Sequence, residues 1–134
     1  MKIVLALFLA AHGLLHASYL SPAPPRTAGG PEWPFELTRS WLVTGLQLDP
    51  AAVRFLGTGL VSLTVAIMLL AGLATAGWMV PQAWWSGLTV AAAAASLATL
   101  LLFFHPWLAI GIAIDLVLLW AVIGAGWEPS RIGT

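Results

Sequence analysis

Two histidines one helical turn apart, His12 and His16, together with Asp115, are the residues of this chain best suited by type and spacing to chemistry. Imidazoles at i and i+4 lie on one side of a helix. They could ligate a metal, touch a haem or relay protons, and they could equally hydrogen-bond to neighbouring helices and hold them together. Asp115 stands inside a hydrophobic run, where a carboxylate is costly without a partner, which makes it a functional-site candidate. It could carry a proton, bind a cation or serve as the counter-charge of His12. His12, His16 and Asp115 are three ligands of a zinc site with an open fourth position, and His16 with His105 is the pairing a haem would need. The inventory permits a metal- or haem-binding redox component of this kind without naming a cofactor. No phosphate-binding glycine loop, nucleophile elbow or pair of carboxylates at catalytic spacing occurs, so a non-enzymatic role is expected.

The elements that must position these residues are apolar. Of 134 residues, 60% are hydrophobic and only 7% charged, against roughly 25% charged in soluble domains. Too little polar surface exists to cover a water-soluble globule, so lipid is the expected solvent for most of the chain. The formal net charge is +0, without runs of like charge, which argues against nucleic acid as a partner. Cysteine is absent, and with it disulfides, thiolate metal sites and Cys nucleophiles. The lack of Asn and the excess of Arg over Lys suit a GC-rich bacterial genome.

Four runs, 3–20, 55–80, 83–104 and 107–127, are long enough to span a hydrocarbon core about 30 Å thick. No charged side chain occurs between Arg54 and Asp115. None of the runs alternates as a barrel strand would, so all are expected to be helices. His105-Pro106 ends the third and lets Pro106 open the fourth, and a tight link through Pro81 joins the second to the third. Short links imply antiparallel neighbours. The expected fold is an all-α membrane protein, a single domain over residues 1–134 built as a four-helix up-down bundle. The first run resembles a signal peptide, but Leu15 and the prolines around Ala23 spoil its cleavage sites, so an uncleaved first helix is expected.

One substantial loop, 21–49, separates the first two runs. Residues 35–48 mix Phe35, Trp41, Leu42 and Leu46 with Glu36, Thr38, Arg39 and Gln47, which predicts a short amphipathic helix over the polar residues at the membrane surface. Asp49-Pro50 reads as an N-cap followed by proline at the first helical position. Lys2 before the first run favours both termini in the cytoplasm and the loop outside. Arg26, Arg39 and Arg54 then lie outside, against Lys2 and Arg131 inside, a count that slightly opposes the positive-inside rule. The tryptophans fall near predicted helix ends, as an interfacial belt does, except Trp120. Gly87, Ala91, Ala95 and Thr99 form a ladder expected to be a close-packing seam.

Depth along the helices concentrates the polar residues. At 1.5 Å per residue, His12, Ser62, Ser96 and Asp115 all lie about 12–13 Å from the loop-side ends of their helices. A second layer about 6 Å deep holds His16, Thr58 and Thr99. Arg54, Thr58 and Ser62 repeat every four residues, one face of the second helix. The expectation is a polar pocket in the loop-side half of the bundle, lined by His12, His16, Arg54, Thr58, Ser62, Ser96 and Asp115, with His12 facing Asp115. Arg54 is expected to reach headgroups or to pair with Glu36 or Asp49.

The first helix, with His12-Gly13-Leu14-Leu15-His16, resembles the opening of small four-helix bacterial membrane proteins bearing an HGxxH signature. Arg54-Phe55-Leu56-Gly57 and the Gly111-to-Asp115 step strengthen the likeness, which extends over all four helices. Such proteins often have Asn at the last position. The resemblance implies a layout broadly similar to DoxX-type membrane proteins, and little about function. The residues point to an accessory subunit of a bacterial cytoplasmic-membrane complex, or to a binder of a small ligand in the loop-side pocket. Its expected partners are the bilayer and other membrane chains or itself. A proton-coupled carrier has little room in one four-helix bundle.

Overall fold

The computed structural model describes residues 1–25, 28–30 and 32–129. Arg26 and Arg131, which enter the charge count across the membrane, lie outside the described residues. An unbroken apolar run forms α1, Lys2–His16, which tightens into a 3-10 turn over Ala17–Leu20 and stops at Ser21, where Pro22 disfavours helix for the residue before it. A short α2, Trp41–Thr44, is N-capped by Ser40, whose hydroxyl accepts from the Leu42 N–H at 3.2 Å. Asp49 caps α3, Pro50–Ala76, by accepting from the Ala52 N–H at 2.8 Å, and Pro50 opens it as expected. Gly77, at φ 72°, ends α3 in the left-handed conformation that glycine adopts without strain. A 3-10 turn, Gln82–Trp84, leads into α4, Trp85–Leu102. Another, Pro106–Leu108, leads into α5, Ala109–Leu119, which widens into a π-helical turn at Trp120–Gly124.

No strand occurs among the described residues. Four helical segments, Lys2–Leu20, Pro50–Ala76, Gln82–Leu102 and Pro106–Gly124, are long and apolar enough to cross a membrane. That is the signature of an integral membrane protein. The predicted ends at 80 and 104 run too far. Gly77 and Phe103, which leaves helical geometry at φ -116° and ψ 45°, terminate the helices earlier, by backbone geometry that hydrophobicity does not report.

The amphipathic helix expected over 35–48 is present only as Trp41–Thr44. The rest is irregular because its polar groups bond elsewhere. Arg39 binds the carboxylates of both Glu32 and Glu36, the latter at 2.8 Å. The loop also caps α4, whose final carbonyls have no intrahelical partner. Trp41 Nε1 donates to Leu101 O at 2.9 Å, Ser40 Oγ to Leu102 O at 2.7 Å, and Tyr19, from the end of the first helical segment, to Phe103 O at 3.5 Å. Leu37, Leu42 and Tyr19 are buried there with Val53 and Phe103.

The central helix is α3, which packs against both α1 and α4, while α4 packs against α5. The backbones of α1 and α5 approach each other far less closely than those of these three pairs. Two glycines set the close α1–α3 approach. A Cβ on Gly13 would lie 2.5 Å from the Met68 Cβ, and one on Gly72 would lie 3.0 Å from the Ala6 carbonyl oxygen. The expected ladder on α4 is not this kind of seam. Gly87 and Ala91 are exposed, and the buried stripe is instead Trp85, Thr89, Ala92, Ala93, Ser96, Thr99 and Leu100. Small side chains alone do not say which way a helix turns when its apolar residues occur all round. Trp78, Trp84, Trp107 and Trp127 are exposed near helix ends, whereas Trp85 is 2% exposed and belongs to the core.

Gly13→Ala should lower stability by about 1–3 kcal/mol, because the added methyl meets the stem of Met68 rather than a flexible tip. Gly59→Ala, at an exposed site with nothing within 4 Å of the new Cβ, should be neutral or gain up to about 1 kcal/mol. Unfolding of the two variants in detergent, followed by circular dichroism, checks the contrast.

Candidate functional site

The polar centre is a chain of hydrogen bonds through three helices. His12 Nε2, on α1, lies 3.0 Å from Asp115 Oδ1, on α5. Ser96, on α4, donates its hydroxyl to Asp115 Oδ2, and the same Ser96 oxygen lies 2.8 Å from His16 Nε2. The path therefore leaves α1 at His12, crosses α5 and α4, and returns to α1 one turn on. All four side chains are buried, Ser96 and Asp115 completely. The expected facing of His12 and Asp115 is present, and Ser96 joins them as the equal depths suggested.

A ladder of rings along one side of α1 holds the imidazoles. Phe8 stacks on His12 with centroids 6.2 Å apart, His12 meets His16 edge-on at 5.4 Å, and Tyr19 stacks on His16 at 6.4 Å. Phe35, from the irregular loop, meets Tyr19 edge-on at 5.3 Å. The spacing of Phe8, His12 and His16 is a helical stripe legible in the sequence. The positions of Tyr19 and Phe35 come from the 3-10 turn and the loop, and sequence periodicity carries no signal for them.

The remaining expected site residues divide. Thr99 is buried but donates to its own helix, to Ala95 O at 2.9 Å. Arg54, Thr58 and Ser62 are exposed on α3, away from the network. They do not line the pocket expected of them: they share its depth, but the buried face of α3 is the stripe through Val53, Gly57, Val61, Thr64 and Met68. Nor do the expected partners hold Arg54, since Glu36 pairs with Arg39 and Asp49 caps α3. His105 is half-buried, and its Nδ1 accepts from the Trp107 N–H at 3.3 Å, shaping the turn before α5. Among the described residues no three His, Asp or Glu side chains converge as a metal site requires. Ser96 stands between His16 and Asp115, so the three expected ligands do not share one centre.

A cavity of about 170 Å³ adjoins the network on the loop side of the α1–α5 seam. His12 and His16 form its polar wall, Leu100 and Ile114 its inner wall, and Phe35 covers it from the loop. Leu15, Trp107 and Ile110, also lining it, are 59%, 64% and 74% exposed, so it opens sideways between the helices towards the apolar surface. A larger cavity of about 550 Å³ lies on the same seam near the termini, against Met1, Val4, Leu5, Phe8 and Trp127, and touches none of the network side chains. The smaller cavity is the chemically relevant one because the buried imidazoles line it.

No family model, curated protein or solved structure matches the chain, so the site stands on its own geometry.

Asp115→Ala strands the donors of His12 and Ser96 in a buried site and removes the polar link between α1 and α5. It should cost about 3–5 kcal/mol. Asp115→Asn keeps the shape and an acceptor, and should cost no more than about 1–2 kcal/mol. Denaturant unfolding in mixed micelles measures both, and equal losses would show that the seam needs the carboxylate itself rather than its shape and one remaining acceptor.

Proposed function

We propose that this chain is an integral membrane protein, its four helices running up and down with both termini on the cytoplasmic side, and that it binds a small ligand without transforming it. The observation that carries the binding reading is the cavity of about 170 Å³ walled by two buried imidazoles and open sideways between α1 and α5. Apolar walls with a few convergent polar groups are the usual make-up of a small-molecule site. The network supports binding over catalysis. Its one hydroxyl, on Ser96, is completely buried, makes two hydrogen bonds and does not line the cavity. In this reading Asp115 and Ser96 are positioning residues, and His12 and His16 meet the ligand.

A specific observation favours a second reading, docking to another membrane chain. Thr58 and Ser62 lie on an exposed face of the longest apolar helix, and polar side chains on such a face suit contact with a partner helix.

Gly111 also lines the cavity, and a side chain there would project towards Leu100. Gly111→Leu should therefore fill the cavity. Wild type purified from its native membrane should carry a small molecule, detectable by mass spectrometry of an organic extract, that is missing from Gly111→Leu. Identical extracts would sink the binding reading. For orientation, a fluorescent protein fused to the C-terminus should fluoresce, and an alkaline phosphatase fused there should be inactive; the reverse pattern would invert the topology.

A further inference from the structure

The proton count in the network settles the polarity of the cavity. Ser96 has a single hydroxyl proton and donates it to Asp115. Its oxygen, 2.8 Å from His16 Nε2, must then accept, so Nε2 carries a proton; a second proton on Nδ1 would leave a buried cation whose N–H has no acceptor, so the ring is neutral. The other nitrogen, Nδ1, is left as a bare acceptor. It is buried and meets no hydrogen-bond partner among the described residues, a rare condition for a polar atom in a protein interior. The carboxylate of Asp115 is already bonded through both oxygens, leaving it poorly placed to hold a cation. A wall of this kind calls for a neutral hydrogen-bond donor.

Size and lining narrow the donor. The volume of about 170 Å³ is close to the roughly 150 Å³ of an engineered apolar cavity that holds one benzene. Phe35 and Trp107 border it, and aromatic rings favour edge-on or offset contact with a further ring. Resting on the binding reading above, we propose that the ligand is a phenol: one ring seated among Phe35, Leu100 and Ile114, its hydroxyl donating to His16 Nδ1, and its apolar substituent leaving between Leu15 and Ile110. Neighbouring side chains cover Nδ1, so one wall must give way. In this proposal Phe35 is the side chain that moves, because it lines the cavity from irregular chain rather than from a helix. The backbones of α1 and α5 also approach less closely than those of α1–α3, α3–α4 and α4–α5, which leaves room for the substituent.

The test uses the full chain in nanodiscs, with empty nanodiscs as the blank. 4-Fluorophenol and 4-fluoroanisole, which differ in the hydroxyl proton, are titrated and followed by fluorine NMR. The phenol is expected to bind saturably and about tenfold more tightly than the anisole, the worth of one buried hydrogen bond. 4-Octylphenol is expected to displace it, and 4-octylanisole, which partitions into lipid similarly, to displace it poorly. Equal affinity for fluorophenol and fluoroanisole would overturn the donor assignment while leaving a ligand-binding cavity. Failure of 4-octylphenol to displace would overturn the lateral path. A phenol preference that persists in Gly111→Leu would place binding elsewhere and overturn the proposal. If none of the probes saturates, the proposal falls and the ligand search by extraction decides the broader reading separately. Because the main comparison varies the ligand, it does not depend on a His16 variant folding.

Discussion

A carboxylate inside an apolar bundle persists when each oxygen meets a donor, since an unpaired charge in such surroundings is far more costly than a paired one. Asp115 meets that condition with groups from two other helices, His12 of α1 and Ser96 of α4. The neighbouring helix pairs are held by close backbone approach, as at Gly13 and Gly72 of the α1–α3 contact. The α1–α5 seam is looser, and there the hydrogen bond from His12 to Asp115 replaces packing. The same bond that closes the bundle therefore keeps a cavity open beside it. Tighter packing of α1 on α5 would remove the need for the polar bridge and the space along with it.

Satisfying backbone groups explains the first loop. After Leu102 the chain must turn at His105-Pro106, and the last carbonyls of α4 are left without intrahelical donors. Tyr19, Ser40 and Trp41 supply them. A longer amphipathic helix would turn these side chains around its axis at helical spacing and could not aim two successive ones, Ser40 and Trp41, at two successive carbonyls. The irregular course of the loop also brings Phe35 over the cavity beside His16. Capping of one helix and covering of the site are thus products of the same segment.

Much of this was legible from residue order. Long apolar runs, prolines at Pro50 and Pro106 and the N-cap Asp49 determined four helices and most of their beginnings, because the physics involved is local: burial along a helix and the missing N–H of proline. Depth was legible too, since rise per residue is constant, and it set His12, Ser96 and Asp115 at one level. Azimuth was not. Ser62 shares that depth yet lies on the exposed face of α3, and Gly87 and Ala91 face outward while Trp85 and Thr89 face in. In helices apolar on every side, no hydrophobic stripe distinguishes the inner face. The sequence by itself therefore determined the helical class, the approximate spans and the layer in which the polar residues lie. Only the tertiary structure decided which of them meet, that Ser96 joins His16 to Asp115, and that a cavity remains beside them. Those outcomes depend on how each helix is rotated against its neighbours, and that rotation is set by contacts between residues far apart in the chain.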